Sequence, residues 1–290
     1  MQRAEFDARL DALAAEVNAA LDKLFREDCD TALYESMRYS LAAGGKRLRP
    51  VLLLKFAEAG GLERGRAMDF ACAIELIHTY SLIHDDLPCM DDDDLRRGRP
   101  SNHIVYGYAG AMLAGDALLN AAFELMLGCR SVPPEDVLAA AASIAESSGR
   151  RGMILGQSLD LADAADDPAA RERLSSLKTS AIISGACRAG LLLAGVRDEK
   201  LISAAGIYAE NIGIAFQIRD DVLDVTSNSE TLGKPVGSDT EKTTFVSLLG
   251  IENAQKRIDE LTDAAISAVE PLDGEGFFSS LAKMLAGRRF

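Results

Sequence analysis

Two aspartate-rich stretches hold most of the chemistry this sequence can offer: Asp85-Asp86-Leu87-Pro88-Cys89-Met90-Asp91, running on through Asp94, and Asp220-Asp221-Val222-Leu223-Asp224. Carboxylates at this density repel one another, and each cluster ends an apolar segment, so a fold that holds them needs cations to neutralise them. Basic residues follow each cluster: Arg96, Arg97 and Arg99 after the first, Lys234 and Lys242 after the second. Acid, base and apolar helix together point to magnesium bridging the protein to a phosphorylated substrate. Magnesium is held by a few carboxylates plus substrate phosphates rather than by an all-protein cage. Alone, an acidic run such as Asp91 to Asp94 reads as a solvated helix end; the pairing of two clusters, each trailed by basic residues, argues for a site.

Spacing separates the two clusters. Asp220 and Asp224 are four apart and fall within about 40° of each other on a helix face, with Gln217 and Phe216 one turn earlier on the same side. Asp85 and Asp91 are six apart, and an unbroken helix would set them about 120° from each other. Pro88 cannot continue a regular helix without losing a backbone bond, so the helix is expected to end or bulge there and let Asp91 fold back toward Asp85. On roughly the face of Asp85, one and two turns below, lie Ser81 and His78, with Tyr80 at similar depth and turned partly aside. A third segment, Gly44-Gly45-Lys46-Arg47-Leu48-Arg49-Pro50, has glycines that stop one helix and a proline that opens the next. Its Lys46 and Arg49, three apart, could grip a diphosphate from one side.

The elements that position these residues are expected to be helices. Alanine, leucine and charged residues recur at helical spacing with few β-branched alternating runs, so the chain reads as all-α. Leu10, Leu13, Ala14, Val17, Ala20, Leu21 and Leu24 form one apolar stripe. Further helices are predicted over 31–43, 48–59, 66–87, 109–127, 134–149, 151–162, 169–194, 199–225, 242–249, 251–268 and 276–286. Stretches apolar all round, such as Ala181 to Ala194, belong in the centre of a bundle. Nothing in the composition marks a joint, so residues 1–290 read as a single domain. The longest polar, glycine-bearing stretch, 226–239, directly follows the second acidic cluster and is expected to be a loop over the site.

Bulk properties exclude several functions. A net charge of −14 argues against nucleic acid and against an anionic membrane surface as partners, since both need an extended basic patch. No uninterrupted apolar run approaches the ~20 residues of a bilayer span, and Met1 to Glu16 lacks the apolar core of a signal peptide. A cytoplasmic location is the expectation. The five cysteines are scattered without zinc or CxxC spacing and read as reduced; Cys89 stands out only by lying inside the first acidic cluster.

The segment Gly44 to Pro50, the stretch Leu82-Ile83-His84-Asp85-Asp86-Leu87-Pro88-Cys89-Met90-Asp91-Asp92-Asp93-Asp94-Leu95-Arg96-Arg97-Gly98, and Phe216-Gln217-Ile218-Arg219-Asp220-Asp221-Val222-Leu223-Asp224 resemble the trans-isoprenyl diphosphate synthases, specifically their bacterial farnesyl diphosphate synthase branch. Shorter echoes are Gly156-Gln157-Ser158-Leu159-Asp160-Leu161, Lys178-Thr179, and Gly233-Lys234-Pro235 through Lys242-Thr243-Thr244-Phe245. The likeness runs from about residue 30 to the C-terminus, with the three long motifs in the family's order.

That resemblance implies a bundle of antiparallel helices around one cavity, with the acidic motifs facing each other across its mouth, and a homodimer. It implies that Asp85, Asp91 and Asp220 ligate three magnesium ions, with Asp86, Asp221 and Asp224 in support. Arg96, Lys178, Thr179, Gln217, Lys234 and Lys242 would bind the allylic diphosphate, and Lys46, Arg49, His78 and Arg97 isopentenyl diphosphate. Thr179, Gln217 and the Lys178 carbonyl would stabilise an allylic cation. The substrates implied are isopentenyl diphosphate and dimethylallyl or geranyl diphosphate. Tyr80, with Ser81 beside it, resembles the aromatic stop that sets a fifteen-carbon product. Alternatives are a geranylgeranyl synthase, a terpene cyclase of the same fold, which has no need of the Lys46, Arg49, His78 and Arg97 set, and a non-catalytic regulatory subunit, which has no need of intact aspartates. The resemblance also has the C-terminal tail close over the isopentenyl site, although this tail ends Gly287-Arg288-Arg289-Phe290 rather than on a polar residue.

Overall fold

The computed structural model describes residues 2–25, 31–162, 165–226 and 243–288. Its helices are α1 (Arg3–Leu24), α2 (Ala32–Leu41), α3 (Leu48–Ala59), α4 (Met68–Asp85), α5 (Asn102–Gly128), α6 (Pro134–Ser148), α7 (Met153–Leu161), α8 (Pro168–Ser175), α9 (Ala181–Leu193), α10 (Glu199–Thr226), α11 (Phe245–Leu249), α12 (Ile251–Val269) and α13 (Phe277–Ala286). Among the described residues the only strands are a two-residue hairpin, β1 (Leu95–Arg96) and β2 (Arg99–Pro100), pairing antiparallel with Arg96 opposite Arg99.

Helices apolar all round lie inside. In α3 every residue from Pro50 to Ala57 is buried, and α4 is buried nearly continuously from Phe70 to Ile77. Burying each large apolar side chain contributes about 1.5–3 kcal/mol, so these two helices and α9 anchor the bundle. One core joins α4 to α2, α5 and α6 through Phe70, Ile74, Ile77, Leu118 and Ile144. A second surrounds α10 with α1, α3, α9 and α13 through Val51, Phe56, Leu191, Tyr208, Phe277 and Phe278. A third lies under the second acidic motif, where Ile214, Ile218 and Val222 meet Phe245, Ile258 and Leu261. α4 and α10, which carry the acidic motifs, are therefore each clamped by neighbours along their length.

The helices follow the expected spacing, with ends trimmed by a few residues, as in Ala32–Leu41 for 31–43 and Phe245–Leu249 for 242–249, and with larger differences elsewhere. α4 ends at Asp85 instead of 87, because the residue before a proline is pushed out of helical geometry and the chain turns early. α5 begins at Asn102 instead of 109, with a kink at Gly107, whose φ of 76° lies outside the helical region. The predicted helix over 169–194 is interrupted by a π-helical turn at Ser176–Ser180. The hairpin after the first motif was not expected. In addition, α5 and α10 do reach the length and hydropathy of a bilayer span, although charged residues interrupt both in sequence. α10 packs against α9, α12 and α13, and α5 against α2, α4 and α6.

Candidate active site

The break at Pro88 has the consequence its position predicts. The Asp91 N–H donates to the Asp85 carbonyl at 2.9 Å, the N–H groups of Met90 and Asp92 donate to the Leu87 carbonyl, and the loop folds Asp91 back over the end of α4. Asp85 is half-buried, and burial first, with Asp91 and Asp86 as further causes, pushes its carboxyl up to about 6 against the pull of Lys178 and Arg96. Burial thus disfavours the ionised form of this carboxyl, and a bound cation would favour it.

Asp86 does different work. It is buried, and its Oδ1 accepts from Arg96 Nε at 2.8 Å and from Arg96 Nη2, while the same Nη2 reaches Asp93 Oδ2 at 3.3 Å. Arg96 was expected on the allylic diphosphate and Asp86 in support of metal; here the two are engaged with each other, a buried carboxylate one residue past the helix end having a fixed counter-charge. The hairpin delivers Arg96 to that position. Ser101 adds a second tie from its hydroxyl to the Asp93 carbonyl at 2.5 Å.

On α10 the regular helix sets Asp220 and Asp224 on one side, both half-buried. Asp220 pairs with Arg288, just past the end of α13, and the Arg288 guanidinium also lies 3.8 Å from the Phe216 ring centroid. Burial, then Arg219, brings Arg288 down to about 10. Asp221, also expected in support of metal, is buried. It accepts from the Phe245 N–H at 2.7 Å and from Gln217 Nε2 at 3.4 Å, which fixes α11 against α10. Adjacent aspartates on a helix point about 100° apart, so only one of each pair can face the site.

Lys178 and Thr179 lie on the π-helical turn, half-buried. Such turns inside helices re-aim side chains and recur at functional sites. Lys178 Nζ donates to Asp160 Oδ2 at 2.6 Å, and Arg171 Nη1 stands 3.8 Å from the same carboxylate. Asp160 belongs to the segment Gly156 to Leu161, whose role sequence reasoning left open; it holds Lys178 within electrostatic reach of Asp85. Gly156 permits this, since a Cβ there would lie 2.3 Å from the Lys178 backbone nitrogen.

The cationic set gathers at the start of α3. Arg47, in the left-handed region at φ 48°, points into the core. There its Nη1 meets Glu75 Oε1 at 2.5 Å, Nη2 the Leu41 carbonyl at 2.6 Å, and Nε Asn18 at 2.8 Å. That anchor leaves Lys46 exposed and Arg49 half-buried with Nε unpartnered. Burial and the neighbouring Arg49 and Arg97 hold His78 well below the usual imidazole range, so it is a neutral donor or acceptor. Burial lowers Lys46 and Arg97 as well, Lys46 with help from Arg288 and Arg97 with help from Arg47. Arg49 and Arg97 thus repel each other across a neutral His78, as cations of an anion site without its anion would. Arg288 joins this set to the second acidic motif.

Tyr80 is buried on α4, its hydroxyl has no partner, and burial and Asp85 push that hydroxyl up to about 12. Ser81 is half-buried, donating to the His78 carbonyl at 2.9 Å. The four described cysteines are unpaired, three of them buried and Cys89 exposed. Lys234, Lys242 and most of the loop expected over 226–239 lie outside the described residues.

Magnesium fits this arrangement. The donors are hard oxygens, and the half-buried Asp85 carboxyl is one whose ionised form a cation would favour, while Asp220 is held by Arg288. Among the described residues no three acidic, imidazole or thiol groups converge on one point. Each ion would therefore take one or two carboxylates and complete its shell with diphosphate oxygens and water.

Comparison with known proteins identifies the family. The chain is 44% identical over 255 residues to a geranylgeranyl diphosphate synthase of Cyanophora paradoxa, covering 86% of this chain and 85% of that one. It is 40% identical over 290 residues to the farnesyl diphosphate synthase of Escherichia coli K12, covering 97% of each. The solved structure of a geranyltransferase from Helicobacter pylori, complexed with magnesium and isoprenyl diphosphate, superposes with a TM-score of 0.81 at 30% identity, covering 95% of this chain and 94% of that one. The polyprenyl synthetase signature matches residues 30–272. With its all-α bundle, its two acidic motifs and these relatives, the chain belongs to the polyprenyl synthetase family and is a trans-prenyltransferase.

Proposed function

We propose that this prenyltransferase is a farnesyl diphosphate synthase, joining isopentenyl diphosphate head to tail to dimethylallyl and then geranyl diphosphate. The observation that carries the fifteen-carbon assignment is Tyr80, a buried aromatic five residues before Asp85 on the same helix, with no hydrogen bond to give it a separate structural purpose.

In this reading Asp85 and Asp91 on one side and Asp220 with Asp224 on the other hold three magnesium ions. When bound, the ions draw electron density from the leaving diphosphate and lower the barrier to ionisation of the allylic C–O bond. Lys178, oriented by Asp160, binds the same diphosphate, joined by Lys234 and Lys242. Arg96 acts indirectly, holding the first motif in shape through Asp86. Thr179, Gln217 and the Lys178 carbonyl present oxygen dipoles to the developing allylic cation. Lys46, Arg49 and Arg97 hold isopentenyl diphosphate as charged donors, and neutral His78 as a hydrogen-bond partner. The isopentenyl double bond attacks the cation, a carbon–carbon bond forms, and the proton lost from the adduct passes to the departed diphosphate, so no protein base is needed. Apolar helices around the cavity exclude the water that would otherwise trap the cation.

A homodimer through α5 belongs to the same proposal. Val105, Tyr108, Met112 and Leu113 leave an apolar face exposed along that helix.

Incubating the purified chain with magnesium, isopentenyl diphosphate and geranyl diphosphate, then measuring product length, tests the reading. Farnesyl diphosphate is expected. A twenty-carbon product would favour the second reading, a geranylgeranyl synthase, which the Cyanophora relative supports; no turnover of any allylic substrate would contradict the assigned reaction.

A further inference from the structure

Inside a helix glycine costs about 1 kcal/mol relative to alanine, so the buried Gly115 in the middle of α5 calls for a cause. Its cause is His84. A Cβ at position 115 would lie 2.2 Å from His84 Nε2 and 2.5 Å from Cδ2, well inside van der Waals contact. The imidazole occupies that slot with Nε2 3.0 Å from the Met112 carbonyl oxygen and 4.0 Å from Asp116 Oδ1. One turn down α4 the same ring meets Tyr80 edge-on, with centroids 5.7 Å apart and planes at 80°. The Tyr80 hydroxyl has no partner, so no hydrogen bond orients the phenol ring and its packing must.

We propose that His84 and Gly115 are positioning residues for product length: Gly115 admits the imidazole, and the imidazole wedges Tyr80 in the place where it closes the cavity. The inference rests on the reading of Tyr80 as the cavity stop. It extends chain-length control from the helix that carries the first acidic motif to α5, through side chains that act on Tyr80 instead of on the product. Removing the wedge and overfilling its slot should then have opposite effects. In His84→Ala the tyrosine gains room to tilt back, and the ratio of twenty- to fifteen-carbon product should rise by about tenfold, the worth of one edge-to-face ring contact. In Gly115→Ala the added methyl drives the imidazole against Tyr80, the ring advances into the cavity, and ten-carbon product should accumulate. His84→Phe restores an aromatic edge without the bond to Met112 and should return the fifteen-carbon product.

The experiment is product analysis of His84→Ala, Gly115→Ala, His84→Phe and Tyr80→Ala beside the parent protein. A lower rate at unchanged product ratio in His84→Ala overturns the proposal, since a merely structural histidine would slow the enzyme without re-setting length. His84→Ala decides alone should Gly115→Ala not fold. If Tyr80→Ala lengthens the product and His84→Ala does not, the wedge fails and the cavity stop stands. If Tyr80→Ala leaves the product unchanged, both fall.

Discussion

The two acidic motifs share a composition but are built in different ways. The first ends its helix: the chain breaks at Pro88, the Asp91 N–H returns to the Asp85 carbonyl, and a hairpin supplies Arg96 to hold Asp86. The second sits within a continuous helix, where Asp220 and Asp224 share a face by periodicity alone and the counter-charge comes from Arg288 of the tail. Yet each divides its adjacent aspartates alike. Asp85 and Asp220 are only half-buried, Asp220 against Arg288, whereas Asp86 and Asp221 are buried and spent on protein, one on a guanidinium and one on the Phe245 N–H. On the proposed function, twinned aspartates thus serve two needs, a ligand and the fastening that keeps the ligand still.

That division can be broken by mutation. The largest effect is expected at the proposed ligands: Asp85→Ala and Asp220→Ala should each lower turnover by at least about 10²-fold, because charge stabilisation of the leaving group is lost. The melting temperature should not fall in Asp85→Ala, whose half-buried carboxylate is removed, and should fall in Asp220→Ala by no more than a partly exposed ion pair is worth. Steady-state kinetics and thermal melts of the two variants check this, and near-normal turnover in either would remove that residue from the site. The fastenings should behave the other way round. Asp221→Ala strands a buried N–H and should cost about 1–3 kcal/mol of stability; Asp86→Ala leaves Arg96 without its main partner and should cost a similar amount. Chemical denaturation measures both, and magnesium binding by calorimetry should remain detectable in each.

A smaller effect is expected at Arg288. It neutralises the carboxylate that a metal would use, so Arg288→Ala should raise magnesium affinity in the absence of substrate by about fivefold, the worth of a partly exposed ion pair. Weaker binding in calorimetry would mean that the arginine helps to assemble the site instead of competing for it.

How much of this was legible in the sequence follows the same divide between local and distant causes. Helix period fixed the direction of Asp220 and Asp224, and proline chemistry fixed the fold-back of Asp91, because both are set by neighbours in the chain. The pairing of Asp86 with Arg96 was hidden, since it depends on a hairpin too short to show an alternating pattern. The hold of Asp160 on Lys178 spans 18 residues and an interrupted helix, and no local spacing signals a π-helical turn. Spacing singled out Lys46 and Arg49, but the reason Arg47 stands apart, its draw into the core by Glu75, was not visible. The contact of Arg288 with Asp220 is made between residues far apart in sequence; the resemblance brings the tail to the site, but no local spacing names the pair.

The smallest expected effect separates the motifs by pH. Burial holds the Asp85 carboxyl up at about 6, above its ordinary value of 3.8. A carboxyl raised by folding contributes stability in its protonated form. For the metal-free protein that contribution is fully present below about pH 4 and is lost as pH rises through about 6. Metal needs the ionised form, so its sign is opposite: magnesium affinity at the first motif should fall by about twofold between pH 8 and 6 and more steeply below, as a proton competes for the same oxygens. Calorimetric titrations of the parent and of Asp85→Asn across this range isolate the effect, because the variant has no carboxyl at 85 to titrate. A parent curve that stays parallel to the variant's down to pH 5 would show that Asp85 stays ionised despite its burial, leaving the first motif as ready for metal as the second.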